Sequence, residues 1–179
     1  MPTLTSQYKL PAPTLTEAAD GPDGFSKLAN AIETALIAER KGLGISRYRI
    51  NDFNVANGAT VIDVTLDGLI YQSAGITWAA GGKPIIPTLG RYLVRGSLSY
   101  APAAGGERLI ALSQNGASIA GASFIQSYST AAHSAVMEVV FIGSFAANAQ
   151  IGLQTWQSSG KTLLCSDARL SVDRIADLK

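Results

Sequence analysis

A two-residue hydrophobic period, which begins near Tyr48 and continues to the end of the chain, constrains the fold most. It runs through four segments of the sequence, TVIDVTL, RYLVRGSLSY, QIGLQTW and RLSVDRI. Because successive side chains of a strand point to opposite faces, this period predicts strands with one buried face. The residues predicted to face a core are Ile62, Val64, Leu66, Tyr92, Val94, Leu98, Tyr100, Ile151, Leu153, Thr155, Leu170 and Val172.

Turn signals separate these segments at short intervals. Gly81-Gly82, Gly105-Gly106 and Ser158-Ser159-Gly160 each interrupt the alternation. Asn115-Gly116 lies between the two apolar runs of RLIALSQNGASIAG, and this dipeptide is the strongest short-range indication of a tight β-hairpin. Seven or more short strands without an intervening helix predict an all-β, antiparallel sandwich or barrel.

The first 45 residues follow a different pattern. The segment MPTLTSQYKLPAPTLTEAADGPD is rich in Pro, Thr and Ala, which favours an extended arm. Residues 24–41 predict one short α-helix that ends at Gly42 and Gly44. Because a short helix with a thin apolar stripe is marginal alone, we expect it to dock on a partner. The stripe consists of Phe25, Ala29, Ile32 and Leu36.

Charged residues are scarce where the strands are predicted. Between Arg108 and Lys161 the only formal charge is Glu138. The whole chain is 15% charged with a net charge of +1, whereas an average soluble domain is about 25% charged. This balance gives no electrostatic reason to expect nucleic acid as a partner. Because charges normally keep sheet edges apart, a neutral sheet relies on small polar groups or is covered in an assembly.

The segment SAVMEVVFIG is apolar on both faces. Ala135, Met137, Val139 and Phe141 form one row, and Val136, Val140 and Ile142 form the other, which also contains Glu138. A lone antiparallel sandwich should have one wet face, and each large side chain moved out of water contributes roughly 1.5–3 kcal/mol. We therefore predict that another subunit buries Val136, Glu138, Val140 and Ile142. The alternative is a central strand covered by the N-terminal helix.

Residue types that bind metals or act as nucleophiles are few. His133 is the only histidine, which excludes a multi-histidine metal site. Cys165 is the only cysteine, so an intrachain disulfide is excluded, and a buried structural thiol is favoured over a Cys–His pair with His133. The segment SSGKT ends like a phosphate loop, but its required first glycine is Thr155 and no helix follows.

Carboxylate pairs are present without any sign of a cleft. Asp63 and Asp67 lie near a turn, and Asp167 and Asp173 flank the last strand. Glycoside hydrolysis needs two carboxylates at a set separation in a cleft, which this pattern does not indicate. We therefore predict that the chain is not an enzyme and holds no metal or cofactor.

Three aromatic residues are candidates for surface contact. Trp78, Tyr128 and Trp156 are suited to contact carbohydrate or protein, the alternative being core or subunit packing. Arg91 and Arg95 share one strand face and are suited to pair across a subunit boundary, where rim charges contribute little.

The N-terminal sequence lacks an apolar core like that of a signal peptide. No run approaches the ~18 apolar residues of a membrane span. We therefore expect synthesis in the cytoplasm of the producing cell and no membrane insertion.

Residues 70–179 resemble the jelly-roll heads of the tumour necrosis factor and complement globular-head class, and more narrowly heads common in bacteriophage tail and fibre proteins. The resemblance rests on an aromatic after glycine at one strand start (Gly90, Tyr92), on the Asn115-Gly116 hairpin and on the closing Arg169–Val172 strand. The segment SFAANAQ lacks the acidic residue that such heads often have there, which argues against a metal or charge site in that loop. The stretch LPAPTLTEAADGPDGFSKLANAIETAL is similar to the opening of many phage minor tail proteins.

This resemblance implies a non-enzymatic homotrimer with an apolar three-fold axis, located in the virion after synthesis in the bacterial cytoplasm. Residues 1–45 are then the arm and helix that attach to other virion proteins of the tail, and 46–179 an antiparallel jelly-roll β-sandwich head. One alternative is a capsid decoration or head-fibre protein. Another is a module that binds a glycan or protein of the host cell surface.

Overall fold

The computed structural model describes residues 43–58, 60–73, 75–128 and 134–177, together with the backbone of 3–4 and 11–12. The chain divides into two compact units, 1–42 and 43–179. In the first unit, β1 (Thr3–Leu4) pairs antiparallel with β2 (Pro11–Ala12). The predicted helix with its stripe of Phe25, Ala29, Ile32 and Leu36 lies outside the described residues, as does His133.

The second unit is a sandwich of two antiparallel sheets. The larger sheet has the order β12-β9-β14-β3-β6, with β4 also paired to β14, and the smaller sheet has the order β11-β10-β13-β5. A short β7-β8 ladder and a 3-10 turn, Ala80–Gly82, lie beside them. The strands are β3 (Gly44–Tyr48), β4 (Phe53–Val55), β5 (Ile62–Asp63), β6 (Gly68–Gln72), β7 (Thr77–Trp78), β8 (Pro84–Ile85), β9 (Gly90–Tyr100), β10 (Glu107–Gln114), β11 (Ala117–Ser127), β12 (Ala135–Phe145), β13 (Ile151–Gln157) and β14 (Leu163–Asp177).

The core lies between the two sheets and follows the predicted alternation. Every residue predicted to face a core is buried except Ile62, which is partly buried against it. The all-β antiparallel fold is therefore confirmed. The segment TVIDVTL differs in one respect: only Ile62–Asp63 forms a ladder, while Val64 and Leu66 are buried outside any strand.

The predicted hairpin at Asn115-Gly116 joins β10 to β11. Both residues adopt left-handed backbone, with φ of 52° and 86°. The turn is also clamped to the residue before β13, because Asn115 N donates to Gln150 O (2.8 Å) and Gln150 N donates to Asn115 Oδ1 (2.9 Å). The hairpin tip is therefore held by the neighbouring strand connection.

The strand β14 changes its partner along its length. Its first residues pair with β4 and its later residues pair with β3, while β9 runs along its other side. A bulge between Ser166 and Arg169, with Asp167 at φ 52°, separates the two halves. Because a bulge bends and twists a strand, it allows β14 to serve both partners in one sheet.

Candidate functional site

The candidate site is the outward face of the larger sheet, formed by the residues of β12, β9, β14 and β3 that point away from the core. The strand β12 is the edge strand of this sheet, so the alternative is wrong in making it a central strand. The helix that this alternative places over the strand lies outside the described residues. The inner row of β12 is buried apart from the half-buried Phe141, whereas Val136 (73%), Val140 (53%) and Ile142 (49%) are exposed. The predicted two-sided strand is present, and one of its apolar rows faces outward.

The strand register places these residues in rows that cross the outward face. Val140 lies opposite Arg95, which lies opposite Ser171 on β14. One row away, Glu138 lies opposite Ser97, which lies opposite Arg169. With strands about 4.8 Å apart, Glu138 and Arg169 are about 10 Å apart along their row. The apolar residues therefore line the β12 edge, and the arginines lie toward the centre of the face.

Glu138, Arg95 and Arg169 on the outward face form no ion pair with any residue that the structure describes. Glu138, Arg95 and Arg169 are exposed. The structure shows one ion pair among the residues it describes, between Lys83 and Asp63, which lies elsewhere. Glu138 thus has apolar neighbours along its own strand and no ionic partner in the described part of its own chain.

Two tyrosines cover the far side of the outward face. Tyr71 lies over Gly44 and its hydroxyl donates a hydrogen bond to Asp173. Burial, with a further contribution from this hydrogen bond, raises the pKa of Tyr71. Tyr48 lies over Gly68, where an added Cβ would meet its ring at 2.4 Å. These two contacts exclude larger side chains at both glycines, and Asp173 is already engaged by Tyr71.

The three aromatic surface candidates lie on separate elements. Trp78 in the β7-β8 ladder is 44% exposed, and the guanidinium of Arg47 lies 4.4 Å from its ring centroid. Tyr128 is half-buried above Arg108, whereas half-buried Trp156 lies opposite Leu109 on the smaller sheet. No ring contact joins any two of them in the part of the chain that the structure describes.

Buried polar residues at one end of the sandwich escaped the sequence analysis. Arg108 is 1% exposed and donates to the carbonyls of Ala103, Gly105 and Glu107. Gln157 is fully buried and donates to the carbonyls of Val55 and Lys161. These side chains fasten loops to strands. A charged or amide residue at an inward position of the alternation is the only sequence signal that marks them.

The thiol of Cys165 is chemically shielded. Burial raises the pKa of Cys165 to about 12, although a hydrogen bond with Tyr100 acts in the opposite direction. Tyr100 in turn lies 2.5 Å from Thr155 Oγ1 and donates to the Trp156 carbonyl. A protonated, fully buried thiol is a poor nucleophile, which agrees with the structural role predicted for it.

The four carboxylates considered as catalytic pairs make separate local contacts. Asp63 binds Lys83, and Asp67 accepts a hydrogen bond from Ile50 N at 2.8 Å. Asp167 lies in the β14 bulge and Asp173 binds Tyr71. The turn 158–162 joins β13 to β14, so no helix follows it, as expected when the phosphate-loop motif was rejected.

The described residues contain no cluster of three or more His, Cys, Asp or Glu side chains placed to hold a metal ion. No helix in the same part of the chain is long and apolar enough to cross a membrane.

Comparisons with known proteins place the fold in a recognised structural class. No family model matches the sequence, and no curated protein matches it. Among solved structures, the globular domain of zebrafish complement 1qA protein is similar at a TM-score of 0.53 and 14% identity, covering 74% of this chain and 97% of that chain.

Two further solved structures are similar to the same degree. Eiger TNF from S. frugiperda has a TM-score of 0.51 and 16% identity, over 77% of this chain and 95% of that one. Murine APRIL has a TM-score of 0.52 and 13% identity, over 74% and 99%. At these identities the likeness concerns the fold alone: the head is a jelly roll of the tumour necrosis factor and complement type.

Proposed function

We propose that this chain is a non-enzymatic structural protein of a bacteriophage virion, in which three copies form a jelly-roll head. Residues 1–45 attach it to other virion proteins, and the head projects as a tail appendage or minor tail protein. The exposed apolar row of β12 is the observation that carries self-association. The resemblance of the N-terminal stretch to phage minor tail proteins supports the virion location.

The free energy available from burying this row favours association. Three apolar side chains of the row are about half exposed or more, those of Val136, Val140 and Ile142. Covering them contributes on the order of 1–2 kcal/mol per side chain. The row is contiguous along a strand edge that carries one charge, and such edges are normally protected in soluble monomers. A neighbouring copy that covers the row provides this protection.

The solution mass of the purified chain tests self-association. We expect a trimer by light scattering at micromolar concentration, and a monomer there would contradict the proposal. The double variant Val136→Ser with Val140→Ser should dissociate, because it removes the two most exposed apolar side chains of the row. The matched control is Ile50→Ser with Leu89→Ser, which removes side chains that are 60% and 51% exposed outside the row.

The virion location needs a separate experiment. We expect an antibody against the head to detect the chain in purified particles released from the host that produces it. Immunogold electron microscopy then separates tail labelling from capsid labelling, which would favour a decoration or head-fibre protein. Deletion of residues 1–41 should abolish attachment to particles and leave the trimer intact. Loss of the trimer in this deletion would assign oligomerisation to the N-terminal region instead.

A glycan-binding module is the second candidate function, and the position of Trp78 favours it. The ring is 44% exposed on one side and supported by Arg47, which suits stacking against a sugar. Sedimentation of the wild-type chain with host cell walls, compared with Trp78→Ala, tests this function. Equal sedimentation of both would exclude a role for Trp78.

A further inference from the structure

An assembly that buries the β12 row also buries Glu138. Val136 and Val140 flank this carboxylate along the strand, so a partner cannot cover them and leave Glu138 in water. A buried carboxylate without a counter-charge costs several kcal/mol. Its own chain supplies no ion pair in the described region. The covering partner must therefore bring a cation, or the carboxylates of several copies must share a solvated axis.

The centre of the outward face carries cations of the required kind. Arg95 and Arg169 are exposed, and the register makes them diagonal neighbours on β9 and β14, since Arg95 pairs with Ser171 and Ser97 pairs with Arg169. Two carboxylates of β14 lie near them: Asp173 already accepts a hydrogen bond from Tyr71, and Asp167, in the bulge, accepts one from Ser166 Oγ. Two guanidinium groups thus face outward beside carboxylates that are engaged elsewhere.

We infer that Glu138 of each subunit forms an ion pair with Arg95 and Arg169 of the next subunit, and this inference rests on the proposed trimer. The β12 edge of one copy lies against the β9–β14 centre of its neighbour. The two surfaces in contact are different, so the contact is heterologous and closes as a ring. Charge complementarity of this kind fixes the register of association and disfavours wrong pairings. Glu138 therefore determines which surface of the neighbour is bound.

The variant Glu138→Gln separates this arrangement from one in which three glutamates converge on the axis. It keeps the size of the side chain and removes its charge. If Glu138 pairs with arginines, the dissociation constant of the trimer rises by about tenfold or more. If three carboxylates meet, the same variant removes repulsion and tightens the trimer, which overturns the inference.

Charge reversal identifies the partner residues. The variant Glu138→Arg should weaken the trimer more than the matched control Lys161→Glu, which lies in an exposed turn. The double variant Arg95→Glu with Arg169→Glu should also weaken it more than this control. Combining all three changes in one chain should restore assembly. Failure of the combined variant to recover, when circular dichroism shows that it is folded, overturns the assignment of these arginines.

Mixing the two reversed variants tests the ring itself. A three-membered ring built from two complementary chains always keeps one like-charged contact, so the mixture should not regain full stability. A two-fold dimer would regain it, and such recovery overturns the heterologous contact. A monomeric wild-type chain overturns the proposed trimer, whereas a wild-type trimer that Glu138→Arg leaves intact overturns only this ion pair.

Discussion

The outward faces of the two sheets differ in how much of them the described residues bury. On the smaller sheet Ala111, Ser113 and Gln154 point outward yet are buried, and Gln154 makes hydrogen bonds on both sides of its amide. On the larger sheet the outward residues of β12 are apolar and exposed, and Glu138 lacks an ion pair among the described residues. A sequence with few charges therefore produces one outward face with a buried, largely polar centre and one with an exposed apolar row. In the described part of the chain, Ser113 Oγ and Trp156 Nε1 on the first face have no hydrogen-bond partner.

Gln154 is the centre of the outward face of the smaller sheet. Its Oε1 accepts from Ser118 Oγ (2.8 Å), and its Nε2 donates to Asp63 Oδ1 (3.0 Å) and to the Gly116 carbonyl (3.1 Å). Asp63 also binds Lys83 at 2.6 Å. One neutral amide thus joins β13, β5 and the β10–β11 hairpin. Hydrogen bonds replace the charges that usually keep such a surface in register.

The largest predicted effect is a difference in the free energy of unfolding between substitutions in the two rows of β12. Met137→Ala should lower the free energy of unfolding by about 2–5 kcal/mol, because the side chain is 1% exposed in the core. Val136→Ala should change it by less than about 0.5 kcal/mol in the dilute monomer. Urea unfolding at a concentration where light scattering shows monomer measures both. A large loss for Val136→Ala there would mean that the chain itself packs this row.

The next effect is a loss of stability on the outward face of the smaller sheet. Gln154→Ala should lower the free energy of unfolding by about 1–3 kcal/mol, because it removes the donor that Gln154 Nε2 supplies to Asp63 Oδ1 and to the Gly116 carbonyl. Ser97→Ala on the opposite outward face is the matched control and should change stability by less than about 0.5 kcal/mol. Equal effects of the two substitutions in chemical denaturation would remove the distinction between the faces.

A smaller effect is expected at the hairpin that borders the outward face of the smaller sheet. Gly116→Ala should lower the free energy of unfolding by about 1–2 kcal/mol, because Gly116 has φ 86° and an L-residue is strained there. Gly58→Ala is the control, since an added Cβ there meets nothing within 4 Å and its φ is not positive. Thermal unfolding of both variants measures the difference. Similar melting temperatures would show that the turn tolerates the strain.

The smallest effect is a pH dependence from Asp63. Burial alone would raise the pKa of Asp63, but hydrogen bonds from Lys83 and Gln154 and the charge of Lys83 lower it overall. The resulting stability is present above the ordinary aspartate pKa of about 3.9 and is lost as the pH falls through the lower folded-state pKa.

We therefore expect Asp63→Asn to be less stable than wild type by about 0.2–1 kcal/mol at neutral pH, since the pair is partly exposed. This difference should vanish near the acid limit of the folded state, as measured by urea unfolding across pH. A difference that grows toward low pH would contradict the assigned direction of the shift.

Alternation and turn chemistry predicted much of the fold. Leu98, Leu153 and Val172 are buried as expected, because a strand with one dry face must repeat with a period of two. The Asn115-Gly116 turn was predictable because few other residue pairs adopt two left-handed conformations. The outward apolar row of β12 was also visible in the sequence, since alternation alone assigns both rows of a strand.

The remaining features depend on contacts that the alternation does not encode. The buried Arg108 donates to the nearby carbonyls of Ala103, Gly105 and Glu107, and the path that the chain takes before β10 is not visible in the alternation. Gln154 acquires its role only when Asp63 and Gly116 reach it from other elements. The charge distribution on the outward face likewise follows from strand order, which places Glu138 and Arg169 in one row although they lie 31 positions apart in the chain (169 − 138).

Both Asn-Gly pairs of the sandwich have their side-chain oxygen held by a distant backbone amide. Asn115 Oδ1 accepts from Gln150 N, and Asn57 Oδ1 accepts from Gly160 N at 2.8 Å. Deamidation at such pairs requires the side-chain carbonyl carbon to swing toward the following glycine nitrogen, and each hydrogen bond opposes that rotation. The hydrogen bonds that shape these turns therefore also slow deamidation at the two Asn-Gly pairs, and unfolding, which breaks them, would speed it.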